Sequence, residues 1–296
     1  MREITKKLIM IIFTLLIVTA VPMAASADEQ KLPEQKQEQK AGEDKVTGEV
    51  NLSVLSAYIL RGYEQSRNSV VVQPSVTLGY KGFALNLWGN LDTEPYAADN
   101  ADHSSQYTET DYTISYSKKF GILQVTPGYV YYALGAPYSG APAPPDSQEF
   151  FLALGLNTIL SPTLTVYKEF DHYHQWYFLL GVSHTFELSK MVGLKLAASA
   201  SYLKSEDETF YAKYDSNSQP TTDKYNNFHD GMVSVYLPIA VTKALTVIPT
   251  ASYVFPLCND ARYEMKAFGK KGVAAGKEGD RDSTYLYGGV TLTFSF

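Results

Sequence analysis

From residue 49 onward, apolar side chains recur at every second position in one segment after another, and no apolar run is long enough to form a membrane-spanning helix. A chain built this way can put one face of each segment in oil and the other in water. Strands do this, because their side chains alternate between two faces. We read about twelve such segments, each near the length of a tilted membrane strand: 49–61, 70–80, 83–92, 108–118, 122–134, 148–158, 163–171, 175–187, 193–204, 228–241, 245–257 and 284–296. In the first, Val50, Leu52, Val54, Tyr58 and Leu60 share a face, and in the second Val70, Val72, Val76, Leu78 and Tyr80 do. No helix is expected between them.

The connections carry a second pattern. Links after even-numbered segments are short (81–82, 118–121, 159–162, 188–192, 242–244). Most links after odd-numbered ones are long (93–107, 135–147, 205–227, 258–283), although 62–69 and 171–174 are shorter than this pattern suggests. Short turns at one rim and long loops at the other describe an up-and-down barrel of even strand number, with ten and fourteen as the neighbouring counts. The expected fold is all-β: a transmembrane antiparallel barrel with both termini in the periplasm and the long loops outside. Closure satisfies every backbone hydrogen bond within the bilayer.

The start of the chain is read apart from the fold. Arg2, Lys6 and Lys7 precede an uncharged apolar run, Leu8 to Ala20, and Ala25-Ser26-Ala27 follows. That is the layout of a signal peptide over 1–27. Residues 28–46 are mostly Glu, Gln and Lys and are read as a disordered periplasmic linker. The barrel domain is then 47–296. A net charge of −6 gives no reason to expect nucleic acid as a partner. The lone Cys258 excludes an internal disulfide and is read as an incidental loop residue. The count of 23 tyrosines suits the aromatic girdles of a membrane barrel.

The last segment ends on Phe294 and Phe296. This resembles the C-terminal signal read by the outer-membrane assembly machinery, an expected partner along with the lipid bilayer and lipopolysaccharide. Further upstream, SAYILRGYEQS and VVVQPSVTLGYKGFALNLWGN, between Ser56 and Asn90, carry a longer pattern. Tyr58, Arg61, Gly62, Gln65 and Ser66 match a Tyr-x-x-Arg-Gly-x-x-Gln-Ser strand end. Gly82 and Phe83 match a Gly-Phe hairpin turn, and Trp88, Gly89 and Asn90 a Trp-Gly-Ser/Asn strand. PGYVYYALGAP at 127–137 is a weaker echo. The stretch resembles the TorF-type family of porins, and departs from it at Ser56 or Ala57, where an aspartate is frequent. The resemblance covers about the first third of the barrel and implies a bacterial outer-membrane location.

With the apolar face outward, the alternate positions line a polar lumen. The candidate pore-lining and constriction residues are Arg61, Trp88, Asn90, Asp92, Glu109, Asp111, Tyr132, Glu149, Tyr167, Glu169, Asp171, Lys195 and Tyr236. Acids outnumber the bases Arg61 and Lys195, which predicts a weak preference for cations. Arg61 has a second reading, as the partner of nearby carboxylates bracing the wall. The functional expectation is a narrow channel passing small hydrophilic solutes, with no cofactor, no metal and no catalytic residue. Two alternatives stand beside it. One is a barrel hydrolase using His103-Ser104-Ser105, or His172 and His174 beside Asp171. The other is a filled structural or adhesive barrel acting through its loops.

Overall fold

In a computed structural model, residues 45–66, 69–95, 104–268 and 283–296 are described. The expected signal peptide, nearly all of the linker, and His103 lie outside them. Twelve strands form the barrel: β1 (Thr47–Leu55), β2 (Val71–Tyr80), β3 (Phe83–Asp92), β4 (Gln106–Tyr116), β5 (Leu123–Leu134) and β6 (Ser147–Leu156). Then come β7 (Thr163–Glu169), β8 (Gln175–Glu187), β9 (Gly193–Ser205), β10 (Asn226–Tyr236), β11 (Leu245–Pro256) and β12 (Tyr285–Ser295). Each strand pairs antiparallel with its neighbours in sequence, and β1 pairs with β12, so the sheet closes. No helix among the described residues is long and apolar enough to cross a membrane. The crossing is made by strands.

Register follows from the alternation. Val50 faces Val76 across β1–β2 and Phe294 across β1–β12, and Leu52 faces Leu292. A slip of one residue would turn every one of these side chains into the lumen. The outward residues form an exposed apolar wall, including Val76, Leu78, Leu85, Leu87, Ile114 and Leu292. Buried Gln73, Ser75 and Thr77 alternate with them inside β2. Both ends of the barrel chain lie at the short-turn rim, where the Gly48 amide donates to the Phe296 carbonyl (2.9 Å). The β2–β3 turn there is the two-residue Lys81-Gly82, both at positive φ (50° and 91°), the geometry that matches strand twist.

Four expectations need correction. The first strand ends at Leu55, not at 61. Residues 56–66 fold into the lumen as a small hairpin, with Ile59–Leu60 paired to Tyr63–Glu64. Tyr58 and Leu60 therefore do not face lipid, and Tyr58 is 1% exposed. The reason is polar: the Tyr58 hydroxyl donates to Glu109 (2.9 Å) and its amide to Ser66 Oγ (2.6 Å), partners that exist only inside. The link at 62–69 is accordingly part of an inward fold rather than a short external loop. The tenth strand is interrupted at Leu237-Pro238, where proline has no amide to donate, and its pairing with β11 resumes at Ile239–Ala240.

The fourth correction is a helix, α1 (Asn259–Phe268), within a segment read as loop. Asp260 in its first turn and Lys266 in its last complement its dipole. The Cys258 sulfur accepts the Ala261 amide (3.4 Å), so this cysteine caps the helix. Its Ala261, Glu264 and Met265 are all 0% exposed, which places one face of α1 against the barrel interior.

Candidate functional site: a polar lumen narrowed at the long-loop end

The lumen changes character along its axis. At the short-turn end, inward residues such as Asn86, Gln124, Thr126, Thr185 and Thr293 are small or polar and partly exposed. Their hydrogen bonds run along the wall: Asn86 to Thr77 (2.8 Å), Ser117 with Thr126 (2.8 Å), Thr293 to Asn51 (2.6 Å). Lys195 belongs here, its Nζ 4.8 Å from the Tyr236 ring centroid. At the long-loop end the inward residues of the same strands are buried, because the 56–66 hairpin and α1 fill the space between them.

The hairpin is held by charge. Arg61, at the hairpin turn with φ of 50°, donates Nη1 to Glu149 Oε1 (2.7 Å) and Nη2 to Oε2 (2.6 Å). Tyr132 donates to the same carboxylate (2.9 Å). The guanidinium stacks between Tyr167 and Tyr177, 5.0 and 4.7 Å from their centroids. Planarity and fixed donors make arginine suited to this combination of fork and face. Gly62 follows at φ 79°, and a Cβ there would meet Asp230 Cβ at 2.9 Å, so the turn needs glycine for both shape and room.

A second cluster ties α1 to the wall. Tyr177 and Ser201 donate to Asp230 Oδ1 (3.0 and 2.6 Å), and His229 Nδ1 lies 3.0 Å from the same oxygen. The other ring nitrogen of His229 is 3.3 Å from Glu264 on α1. Burial pushes the Glu264 carboxyl up, against the opposing pull of His229 and Tyr63. Burial and Glu109 likewise raise the Tyr58 hydroxyl, which stays a donor.

The candidate residues therefore separate into groups. Arg61, Glu149, Tyr132 and Tyr167 meet in one network. Trp88 packs on Tyr58 (5.5 Å between centroids), next to Glu109, and Asp111 is buried in the same region. Asn90 accepts from Gln73 (3.0 Å), while Asp92 takes the Ser69 hydroxyl. Lys195 and Tyr236 lie apart, in the open half. Glu169 is withdrawn into a cap: it accepts the amides of Asp171 (3.0 Å), His172 (2.9 Å), Tyr173 (2.9 Å) and His174. Asp171 is a correction. It follows the end of β7 at the rim and accepts from outward-facing Gln148 (2.9 Å), so it does not line the lumen.

Among the remaining motif positions, Gln65 donates its amide to the Tyr58 carbonyl (2.8 Å), and Phe83 packs on Tyr116 (4.8 Å). A Cβ at Gly89 would meet the Tyr107 hydroxyl at 1.7 Å. The sequence reading missed His229, Asp230, Glu264 and Tyr63. Their partners lie on different loops and strands, and no spacing announces them.

For the hydrolase alternative, the His172 ring lies 2.9 Å from the Asp146 carbonyl oxygen and 3.2 Å from Asp171, in a turn at the rim. Among the described residues no group of three or more His, Cys, Asp or Glu is arranged to hold a metal.

No protein-family model and no curated protein matches the chain. Solved structures do resemble it. A NanC porin in a rhombohedral crystal form has a TM-score of 0.48 at 11% identity, over 83% of this chain and 98% of that one. An anion-selective porin from Comamonas acidovorans scores 0.34 at 11% identity, over 85% and 99%. The outer membrane protease OmpT from Escherichia coli scores 0.30 at 9% identity, over 86% and 97%. The barrel of this chain, closed by the β1–β12 pairing and apolar on its outer wall, is of the outer-membrane type.

Proposed function

We propose that this barrel is a bacterial outer-membrane channel for passive diffusion of small hydrophilic solutes, with its constriction at the long-loop end. One observation carries this reading. In the short-turn half of the interior the inward Asn86, Gln124, Thr126, Thr185 and Thr293 are polar and partly exposed, and buried Thr77 and Asn51 beside them are satisfied by hydrogen bonds along the wall. An interior with that chemistry holds water, and small barrels filled for structure alone are packed with side chains throughout. The path narrows where the hairpin and α1 enter, which favours small solutes. In this reading both termini face the periplasm, residues 1–27 are removed on export, and Phe294 and Phe296 are read by the assembly machinery. The surrounding partners are phospholipid and lipopolysaccharide. The kinship with TorF-type porins rests on the residues between Ser56 and Asn90.

Selectivity follows from the lining. Among the candidate lining residues the carboxylates Asp92, Glu109, Asp111 and Glu149 outnumber the bases Arg61 and Lys195. A weak cation preference is expected. Single-channel recording in a planar bilayer under a KCl gradient tests both points. Small, steady conductance with a reversal potential of cation sign supports the reading. Clear anion selectivity overturns the preference, and no conductance in protein shown to be inserted overturns the channel.

The filled barrel is the second reading, favoured by the buried Arg61–Glu149 pair and by Met265 at 0% exposure. It requires that liposomes containing the protein exclude even the smallest sugars.

A further inference from the structure

We propose that the short-turn rim is a binding belt for the headgroups of anionic phospholipids. The inference rests on the barrel's spanning a bilayer, and it concerns which lipid that end selects. The turns and strand tips at this rim carry six lysines, Lys45, Lys81, Lys118, Lys119, Lys190 and Lys243, all exposed. Among the described residues the acidic side chain beside them is Glu187, and Glu49 nearby points into the lumen. The opposite rim is different: Lys168, Lys213 and Lys224 there are paired to Glu206, Asp260 and Glu208. Among the described residues, Lys45, Lys118, Lys119, Lys190 and Lys243 have no such carboxylate.

The lysines do not stand on polar turns. Ile122, Ile159, Leu188, Met191 and Val241 sit in the same turns and are 49–76% exposed. Turns projecting into water have no use for large aliphatic tips. These turns instead continue the apolar outer wall, so the lipid-facing surface extends to the ends of the strands. Tyr80, Phe83, Phe120, Phe186 and Phe294 form an aromatic band just inside them. The lysines rise from that band: Lys81 Nζ lies 5.3 Å from the Tyr80 ring and Lys118 Nζ 5.4 Å from Phe120. Apolar stem in the interface with ammonium held out is the posture of a side chain reaching for headgroup phosphates. A cationic strip at that depth favours a leaflet with net negative headgroups.

The test reconstitutes the full chain into nanodiscs of phosphatidylcholine with a minor fraction of phosphatidylglycerol and measures, by native mass spectrometry, the lipid retained as the disc is stripped. The expected result is several-fold enrichment of phosphatidylglycerol over its share in the disc. It should fall to that share when all six lysines become Gln and return when they become Arg. Excess inorganic phosphate should not displace the lipid; if it does, the rim binds free phosphate and the proposal is overturned. Equal retention of the two lipids by the unaltered protein also overturns it, as does enrichment that survives the Lys→Gln exchange. A chain that does not enter the discs defeats the bilayer-spanning reading itself.

Discussion

Arg61, at the tip of a hairpin folded into the barrel, makes a two-pronged contact with Glu149 on the facing wall, at 2.7 and 2.6 Å. Both side chains are under a tenth exposed. The pair fixes the hairpin across the lumen, and breaking it strands a charge where water is scarce. Loss of one member of a buried pair costs roughly 3–5 kcal/mol. Arg61→Ala should therefore lower the heat-modifiable gel-shift temperature and raise single-channel conductance together, because the hairpin is loosened. Replacing both residues by Met should recover much of the stability. A conductance unchanged in a folded Arg61→Ala barrel would separate the hairpin from the constriction.

Helix α1 makes the second obstruction, and its Met265 is fully buried. Met265→Asp places a charge on that face with no pairing residue designed for it, at a desolvation cost that undocking avoids. The expected outcome is a barrel of unchanged strand content by circular dichroism, with larger conductance and faster tryptic cleavage at Arg262 or Lys266. Unchanged conductance with cleavage accelerated would mean that α1 does not lie in the ion path.

The contrast between β3 and the first inward segment explains what could be read from the residues alone. Phe83–Asp92 is legible to the residue because Phe83, Leu85 and Leu87 alternate with the inward Ala84, Asn86 and Trp88 between a Lys-Gly turn and a long loop. The period-two rule also ran on through Tyr58 and Leu60, where it failed. Alternation states that two faces differ, but not where a strand leaves the wall, and tyrosine suits a lipid girdle and a wet lumen equally well. Arg61 reads equally as a pore-lining base and as a wall brace, because its fixed fork suits carboxylates in either setting; Glu149 is a separate pore-lining candidate, and only the fold joins the two. The cluster of His229, Asp230 and Glu264 was not legible. It exists only because α1 folds back, and a short helix inside a Lys-, Gly- and Asp-rich stretch has too little apolar periodicity to announce itself.

Closure of the barrel depends on a close approach at Gly288-Gly289. A Cβ on Gly289 would lie 2.0 Å from the Val54 carbonyl oxygen and 2.8 Å from Leu55 Cα, and one on Gly288 2.4 Å from the Thr250 oxygen. These are backbone atoms of the two strands flanking β12, so no rotamer change relieves the overlap. Gly289→Ala should force the β1–β12 seam apart at a cost of roughly 1–3 kcal/mol, in the range of overpacked sites. The same exchange at Gly121, where nothing lies within 4 Å, serves as a control for space although its φ of 64° adds some strain. Urea unfolding of the two variants in matched lipid vesicles makes the comparison, and equal midpoints would deny the seam this role.

On the outer wall, Glu206 joins the 206–225 segment of the long-loop rim to the barrel. It contacts Lys168 and accepts the Trp176 indole N–H at 2.9 Å. The hydrogen bond from Lys168, followed by that from Trp176, holds its carboxyl below the ordinary glutamate value. A depressed carboxyl adds stability that is complete above the unfolded value, about 4.3, and is lost as pH falls through the lower folded value. Both groups are solvent-exposed enough that the effect is local rather than global. The chain has two tryptophans, and Trp88 is buried in the lumen, so Trp88→Phe leaves Trp176 as a reporter placed on the contact itself. Its emission should hold steady on acidification to about pH 4.3 and change only below that. Glu206→Gln should abolish the transition. A midpoint above the ordinary value would show that the Lys168 and Trp176 contacts do not hold the carboxylate in its charged form.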